Sequence, residues 1–145
     1  MRMDLDMAPS LEALAGLNDQ LEDSLLQRGV VAERIGQVRL IVEELAANAL
    51  HHGECAARGM PLRLRVSVDH AALVLELREH GQAFDPARAA MPALTAGIDE
   101  RPVGGLGLFL VQQLADELDY RREGDANIVR VTLLHPFSAD LEDVP

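Results

Sequence analysis

Two adjoining runs of alternating apolar and polar residues limit the fold more than any other feature of the sequence. Residues 62–69 read LRLRVSVD and residues 72–79 read ALVLELRE, with only the dipeptide HA between them. Such alternation places one side of a strand against a core and the other side in water, and a two-residue connection joins antiparallel neighbours. The sequence therefore predicts a β-hairpin with one buried face.

Two further stretches favour strands. Residues 118–134 read LDYRREGDANIVRVTLL, which predicts a final hairpin that turns at residues 123–126. Residues 2–7 alternate weakly and predict a short edge strand. Two hairpins favour a sheet that is mainly antiparallel.

Three stretches follow the helical period. After Ser10, leucines recur every three or four residues as far as Leu25, and Gly29 predicts the end of this helix. Residues 32–52 carry a second apolar stripe, and a third helix is predicted over residues 106–118. Because the helices do not alternate regularly with the strands, we expect an α+β protein. In this two-layer sandwich, helices pack on one face of a mixed, mainly antiparallel sheet.

The composition limits the partners and the compartment. The 145 residues suffice for a single domain spanning 1–145, and 24 acidic against 13 basic side chains give a formal net charge of -11. Direct nucleic-acid binding is therefore disfavoured. Cys55 is the one cysteine and no leader or long apolar span is found, so we expect a cytoplasmic protein that does not enter the membrane. Residues 138–145 are expected to form an acidic tail.

A cluster of three glycines is a candidate anion site. Residues 101–114 read RPVGGLGLFLVQQL, with Gly104, Gly105 and Gly107 at the start of the third predicted helix. Glycine lets backbone N–H groups approach a phosphate at the positive end of a helix; a flexible loop before a helix is the alternative. Residues 87–101 are expected to form a loop over a site. The spacing matches neither the Walker A motif nor the dinucleotide fingerprint, and the chain contains no lysine.

The second predicted helix carries a candidate catalytic pair. In EELAANALHHG, Glu44 and Asn48 are four residues apart and share the flank of the apolar stripe. A carboxylate there can act as a general base and an amide oxygen can bind Mg2+, whereas a solvated helix flank is the alternative. His51, His52 and Cys55 lack the spacing of a zinc site. His52 can instead interact favourably with the negative C-terminal end of the helix.

Three stretches, taken in order, resemble one known family. They are EELAANALHHG, LELREHGQAFDP and RPVGGLGLFLVQQLADELDYRREGDANIVRVTL. Together they resemble the ATP-binding module of the GHKL superfamily, and most closely the small bacterial anti-sigma factors of the RsbW type, which are serine/threonine protein kinases. The resemblance covers about residues 10–135. It implies a Bergerat-type ATP-binding fold with ATP and Mg2+ as cofactors.

The resemblance also implies roles for individual residues. Glu44 would be the general base, Asn48 the Mg2+ ligand and Glu79 the acceptor for the adenine amino group. Arg101 is the candidate for a basic contact to the γ-phosphate. The remaining residues implied at the nucleotide are His52, Gly81, Ala83, Phe84, Gly104, Gly105, Leu106, Gly107 and Leu108.

The second motif departs from the family at two positions. The family pattern is commonly D-x-G-x-G-F-D-P, and this chain reads EHGQAFDP. Glu79 keeps the acceptor but adds a methylene group, and Ala83 narrows the backbone conformations open to a glycine. Both changes bear on adenine affinity.

By resemblance, the chain would be a kinase-type anti-sigma regulator. It would sequester a sigma factor or similar target and phosphorylate a serine or threonine of a STAS-domain anti-anti-sigma protein, and a PP2C-type phosphatase would reverse that step. A homodimer is expected, and no histidine-bearing dimerisation helices are found in the sequence. Alternatives are a non-catalytic nucleotide-binding or sequestering module, an ATP-binding domain detached from a histidine kinase, and a ligand-free α+β domain.

Overall fold

The computed structural model describes residues 1–52, 58–85 and 105–137. In chain order its helices and strands are β1 (Arg2–Met7), α1 (Leu11–Gln27), α2 (Ala32–His52), β2 (Leu62–Val68), β3 (Ala72–His80), α3 (Gly105–Leu114), β4 (Glu117–Glu123) and β5 (Ala126–Leu134). Within these ranges, no helix is long and apolar enough to cross a membrane. The expected loop at 87–101 and the acidic tail at 138–145 lie outside them.

The five strands form one sheet in the order β1-β2-β3-β5-β4. Both predicted hairpins and the edge strand at 2–7 are confirmed: Val68 pairs with Leu73 across the HA turn, and Glu123 pairs with Ala126. All four described strand pairings are antiparallel, so the part of the sheet that the structure describes is not mixed. The β3–β5 pair joins the two hairpins into a single surface.

The two faces of the sheet differ as the alternation predicts. Inward-facing Leu64, Val66 and Leu75 are buried in a core that α1 and α2 also line. Helix α2 packs against α1, α3 and β3. The α+β prediction, with helices on one face of the sheet, is therefore confirmed. The outer face carries ion pairs across the strands: Arg63–Asp6 (2.9 Å), Arg65–Asp4 (2.8 Å), Arg121–Glu76 (3.0 Å) and Arg78–Glu123 (2.9 Å).

Local signals set the ends of the first two helices. The Ser10 side chain accepts a hydrogen bond from the Ala13 N–H at 3.2 Å, which caps α1. After α1, Gly29 has a φ of 84°, a left-handed conformation that favours glycine and ends helices. Helix α2 spans Ala32–His52, as its apolar stripe predicts.

Helix α3 ends four residues earlier than predicted, at Leu114 rather than Leu118. The Asp116 N–H donates to the Thr132 carbonyl at 2.9 Å, so the chain has already joined the sheet there. Leu118 lies in β4 and pairs with Val131. The prediction was wrong because Leu114 and Leu118 are four residues apart, a spacing that also suits one side of a helix.

The packing of α1 can be tested with two leucines of the same helix. Leu21 is fully buried, whereas Leu11 is 65% exposed. We expect Leu21→Ala to lower the free energy of unfolding by about 2–5 kcal/mol because it leaves a cavity. Leu11→Ala should change it by less than about 0.5 kcal/mol. Urea denaturation measures both, and equal losses would contradict this orientation of α1.

Candidate functional site

A small pocket lies between α2, β3 and β5. Its volume is about 20 Å3, which is room for about one water molecule. Its walls are mainly aliphatic, with three polar side chains among them. The lining residues are Leu45, Asn48, Ala49, Leu77, Glu79, Phe84, Asn127 and Val129. The pocket therefore brings together Asn48, Glu79 and Phe84, which the sequence analysis named from two separate motifs.

Helix α2 supplies Asn48 and carries Glu44 one turn earlier. Asn48 is buried, Glu44 is half-buried and Glu43 is exposed, so the helix flank lies as its periodicity predicts. Burial raises the pKa of the Glu44 carboxyl, and the negative charge of Glu43 adds to this effect. A carboxylate with a raised pKa is a better proton acceptor near neutral pH.

Strand β3 supplies Glu79, whose side chain is buried among the pocket walls. Its Oε1 accepts a short hydrogen bond from Asn127 Nδ2. Its Oε2 is buried and has no hydrogen-bond partner among the described residues. Burial raises the pKa of the Glu79 carboxyl, and the Asn127 hydrogen bond and the Arg122 charge offset part of that rise. The carboxyl group therefore has one oxygen held by Asn127 and one oxygen without a donor in the part of the chain that the structure describes.

Asn127 is a site residue that the sequence analysis missed. Its Nδ2 group donates to Glu79 Oε1 and to the Gln82 carbonyl oxygen, the latter at 2.7 Å. Its Oδ1 accepts three hydrogen bonds, from Tyr120 Oη (2.6 Å), Arg122 Nη1 (3.1 Å) and the Phe84 N–H (3.3 Å). One buried amide thus connects β3, β4, β5 and the segment that follows β3.

Part of the signal for Asn127 is present in the sequence. In β5, alternation from Val129 and Val131 places Asn127 on the inward face, where a polar side chain needs a partner. That partner is Glu79, which lies directly opposite Asn127 in the β3–β5 register. Because β3 and β5 are not consecutive strands, the strand pattern alone could not identify the pair.

The second motif continues from Glu79 into a segment held by the last hairpin. Gly81 is buried, and its N–H donates to the Asp125 carbonyl at 2.9 Å. Ala83 is exposed. Among the described residues, His135 is the one non-glycine residue with a positive φ, so Ala83 does not adopt a backbone conformation that requires glycine.

The third motif is described only in part. Helix α3 begins at Gly105, one residue before its predicted start, so Gly105, Leu106 and Gly107 occupy its first turn. Leu108 is buried in the core. Arg101 and Gly104 lie outside the described residues, and the His52 side chain does as well, although its backbone ends α2.

Comparison with known proteins gives the class of this fold and site. A sequence profile for the histidine kinase-like ATPase domain matches residues 7–133. The chain belongs to this family of ATPase domains.

One relative of the chain is named as a protein kinase. The chain is 26% identical over 93 residues to the serine/threonine-protein kinase BtrW of Bordetella bronchiseptica. The match covers 64% of this chain and 66% of BtrW, just under two thirds of that protein. Together with the family match, it confirms the resemblance to kinases of the RsbW type.

Two solved structures share the fold at low sequence identity. A chain of the SiaB–SiaC complex from Pseudomonas aeruginosa matches with a TM-score of 0.64 and 14% identity, over 90% of this chain and 88% of that one. A Mycobacterium tuberculosis protein with RsbU and RsbW domains matches with a TM-score of 0.66 and 14% identity, over 92% of this chain and 32% of that one.

The buried carboxyl of Glu79 predicts a pH-dependent stability. Its pKa is raised above the ordinary value of 4.5. Between the pKa of the unfolded chain and that of the folded protein, the folded state therefore holds a proton that the unfolded chain has released. Stability therefore falls as pH rises from the unfolded pKa through the folded pKa. Glu79→Gln removes this loss, and we expect a higher urea midpoint than wild type at pH 7 and a similar midpoint at pH 4.

The control for the Glu79→Gln measurement is Glu117→Gln. It removes one negative charge from an exposed position on β4. It therefore reports the effect of net charge without the effect of burial. A Glu79→Gln protein that gains nothing over this control between pH 4 and pH 7 would show that burial of Glu79 does not oppose folding.

Proposed function

We propose that this chain binds Mg-ATP at the pocket between Asn48 and Glu79 and transfers the γ-phosphoryl group to a serine or threonine of a protein partner. The supporting observation is that Asn48 and Glu79, from two separate motifs, line one pocket in a histidine kinase-like ATPase domain. Similarity to a protein named as a serine/threonine kinase supports the type of acceptor.

The pocket suits the adenine end of the nucleotide. Aliphatic side chains would cover the faces of the base, while the Glu79 carboxylate would accept a hydrogen bond from its exocyclic amino group. At about 20 Å3 the pocket is too small for a purine. Phe84 lines the pocket from the segment after β3, and we infer that it moves outward when the base enters.

The phosphates would lie beyond Asn48, toward the start of α3. The Asn48 amide oxygen would bind Mg2+, which neutralises phosphate charge when bound. Backbone N–H groups of Gly104, Gly105 and Gly107 would hold the phosphates at the start of α3. Because the chain contains no lysine, Arg101 is proposed for the γ-phosphate. Leu106 and Leu108, in the first turn of α3, would also contact the nucleotide, Leu108 through its backbone because its side chain is in the core. His52, at the end of α2, is the last residue proposed to contact the nucleotide.

Glu44 is proposed as the general base. Its carboxylate would take the proton of the partner's hydroxyl as that oxygen bonds to the γ-phosphorus and ADP departs. The partial burial of Glu44 supports this role because it raises the pKa of the carboxyl.

The proposed partners are those of a switching system in the cytoplasm. The chain would phosphorylate a STAS-domain anti-anti-sigma protein, sequester a sigma factor or similar target, and act as a homodimer. A PP2C-type phosphatase would reverse the phosphorylation. The similar folds in the SiaB–SiaC complex and in a protein with RsbU and RsbW domains support a regulatory module that works through protein contacts.

A second candidate function is sequestration of a partner without phosphoryl transfer. Glu79 and Ala83 depart from the family pattern, and the pocket is closed to a purine in this structure. Partner binding that does not depend on Glu44 or on ATP would favour this function. Phosphorylation of a STAS-domain protein would exclude it.

The first test is nucleotide binding by calorimetry. We expect ATP and ADP to bind wild type in the presence of Mg2+, with affinity reduced about tenfold or more by Asn48→Ala and by Glu79→Ala, because each loses a polar contact to the ligand. Glu76→Ala changes a carboxylate on the opposite face of β3 and should leave affinity unchanged. If wild type does not bind millimolar nucleotide, the kinase proposal is wrong.

The second test separates binding from catalysis. Glu44→Gln should retain ATP affinity but lower the rate of phosphoryl transfer to a STAS-domain protein by about 10²- to 10⁴-fold, because the hydroxyl loses its proton acceptor. Glu33→Gln is the control, since it removes an exposed carboxylate of the same helix far from Glu44. Equal rates for the two variants in a radiolabelled phosphate assay would rule out Glu44 as the base.

A further inference from the structure

The amide of Asn127 can take only one orientation. Its oxygen receives hydrogen bonds from Tyr120 Oη, Arg122 Nη1 and the Phe84 N–H, and its nitrogen donates to two acceptors. If the amide were reversed, its NH2 group would face the N–H donors of Arg122 and Phe84, and its oxygen would face the acceptors of Glu79 and Gln82. The direction of the hydrogen bond to Glu79 is therefore fixed.

This fixed donor makes the two oxygens of the Glu79 carboxyl different. Oε1 is held by Asn127, whereas Oε2 has no donor among the described residues although it is buried. A buried acceptor without a donor is costly to the folded protein, and such groups are uncommon. A ligand that donates a hydrogen bond to Oε2 would remove this cost.

We propose that Asn127 is a positioning residue that holds Glu79 by Oε1, presents Oε2 to the exocyclic amino group of a purine, and thereby makes the site selective for 6-amino purines. This inference rests on the proposed nucleotide site. A purine with a carbonyl at position 6 would bring an acceptor against the carboxylate and leave both without a donor.

Asn127 also ties base recognition to the segment after β3. Its amide holds the Gln82 carbonyl at 2.7 Å and the Phe84 N–H at 3.3 Å, and Phe84 lines the pocket. The side chain that positions the carboxylate therefore also anchors the backbone around Phe84. Tyr120 and Arg122 support the amide from β4 without lining the pocket themselves.

The experiment compares ATP with purine riboside triphosphate, which differs only in lacking the 6-amino group. Affinities are measured with Mg2+ for wild type, Asn127→Ala, Glu79→Gln and the double variant. We expect wild type to prefer ATP by about tenfold or more, as for a hydrogen bond to a charged group. In Asn127→Ala the preference should fall below about threefold, mainly through weaker ATP binding, and the double variant should lose no more than the larger single loss.

Two further variants control for structural damage. Tyr120→Phe removes one of the three donors to Asn127 Oδ1 but leaves both Nδ2 hydrogen bonds, so its ATP preference should remain near that of wild type. Asn127→Ser keeps a small polar side chain and replaces Asn127→Ala in the comparison if that variant does not fold. Its shorter side chain should not reach Glu79 and Gln82 together, so it should also lose the preference.

The possible outcomes separate this inference from the proposed function. Equal weakening of both nucleotides by the Asn127 variants would show a structural role only, and an unchanged preference would show no role in positioning. Either result overturns the inference while leaving ATP binding in place. If wild type binds neither nucleotide, the proposed function fails and this inference fails with it.

Discussion

The sheet has helices on one face and solvent on the other, and this fixes its register. In β2, Arg63 and Arg65 alternate with Leu64 and Val66, so a shift of one residue would carry guanidinium groups into the core. In the observed register, Asp4 and Asp6 of β1 lie opposite Arg65 and Arg63 and form ion pairs with them across the outer face. Each is largely exposed and contributes little to stability, so burial of the aliphatic face is the dominant constraint.

The same register creates the candidate site. Along β3, the inward positions carry Leu73, Leu75 and Leu77, and the next inward position is Glu79. On β5 the residue opposite Glu79 is Asn127. The aliphatic core therefore ends in a buried polar pair beside helix α2. Such a pair adds less to stability than an apolar contact of the same size. Carboxyl groups with a perturbed pKa cluster at functional sites, so the pair marks this end of the core as a candidate site.

The sequence predicted the elements whose signal is local. Both hairpins, the edge strand and α2 follow from alternation or from a single apolar stripe, and the bounds of α2 were predicted to the residue. The predicted end of α3 was wrong because the spacing of Leu114 and Leu118 suits a helix. The hydrogen bond that joins the chain to the sheet after α3 is made with the distant strand β5. Only tertiary structure carries that information.

The residues of the candidate site also differ in whether a local sequence signal could predict them. Asn48, Glu79 and Phe84 were identified from motifs and meet in one pocket, but Asn127 depends on a pairing between strands 48 residues apart at this point. Alternation could place Asn127 on the buried face without naming what it contacts. The backbone conformation of Ala83 was likewise visible only in the structure, where its φ is not in the region that requires glycine.

The Asn127 contact gives a physical account of Glu79 in place of the usual aspartate. A glutamate side chain has one more rotatable bond, so fixing its carboxyl group costs more conformational entropy. A hydrogen bond from a buried amide that is itself held by three donors offsets this cost and limits the carboxyl to one placement. In the proposed site, recognition of the base by the longer acid would therefore depend on Asn127 more than recognition by an aspartate would.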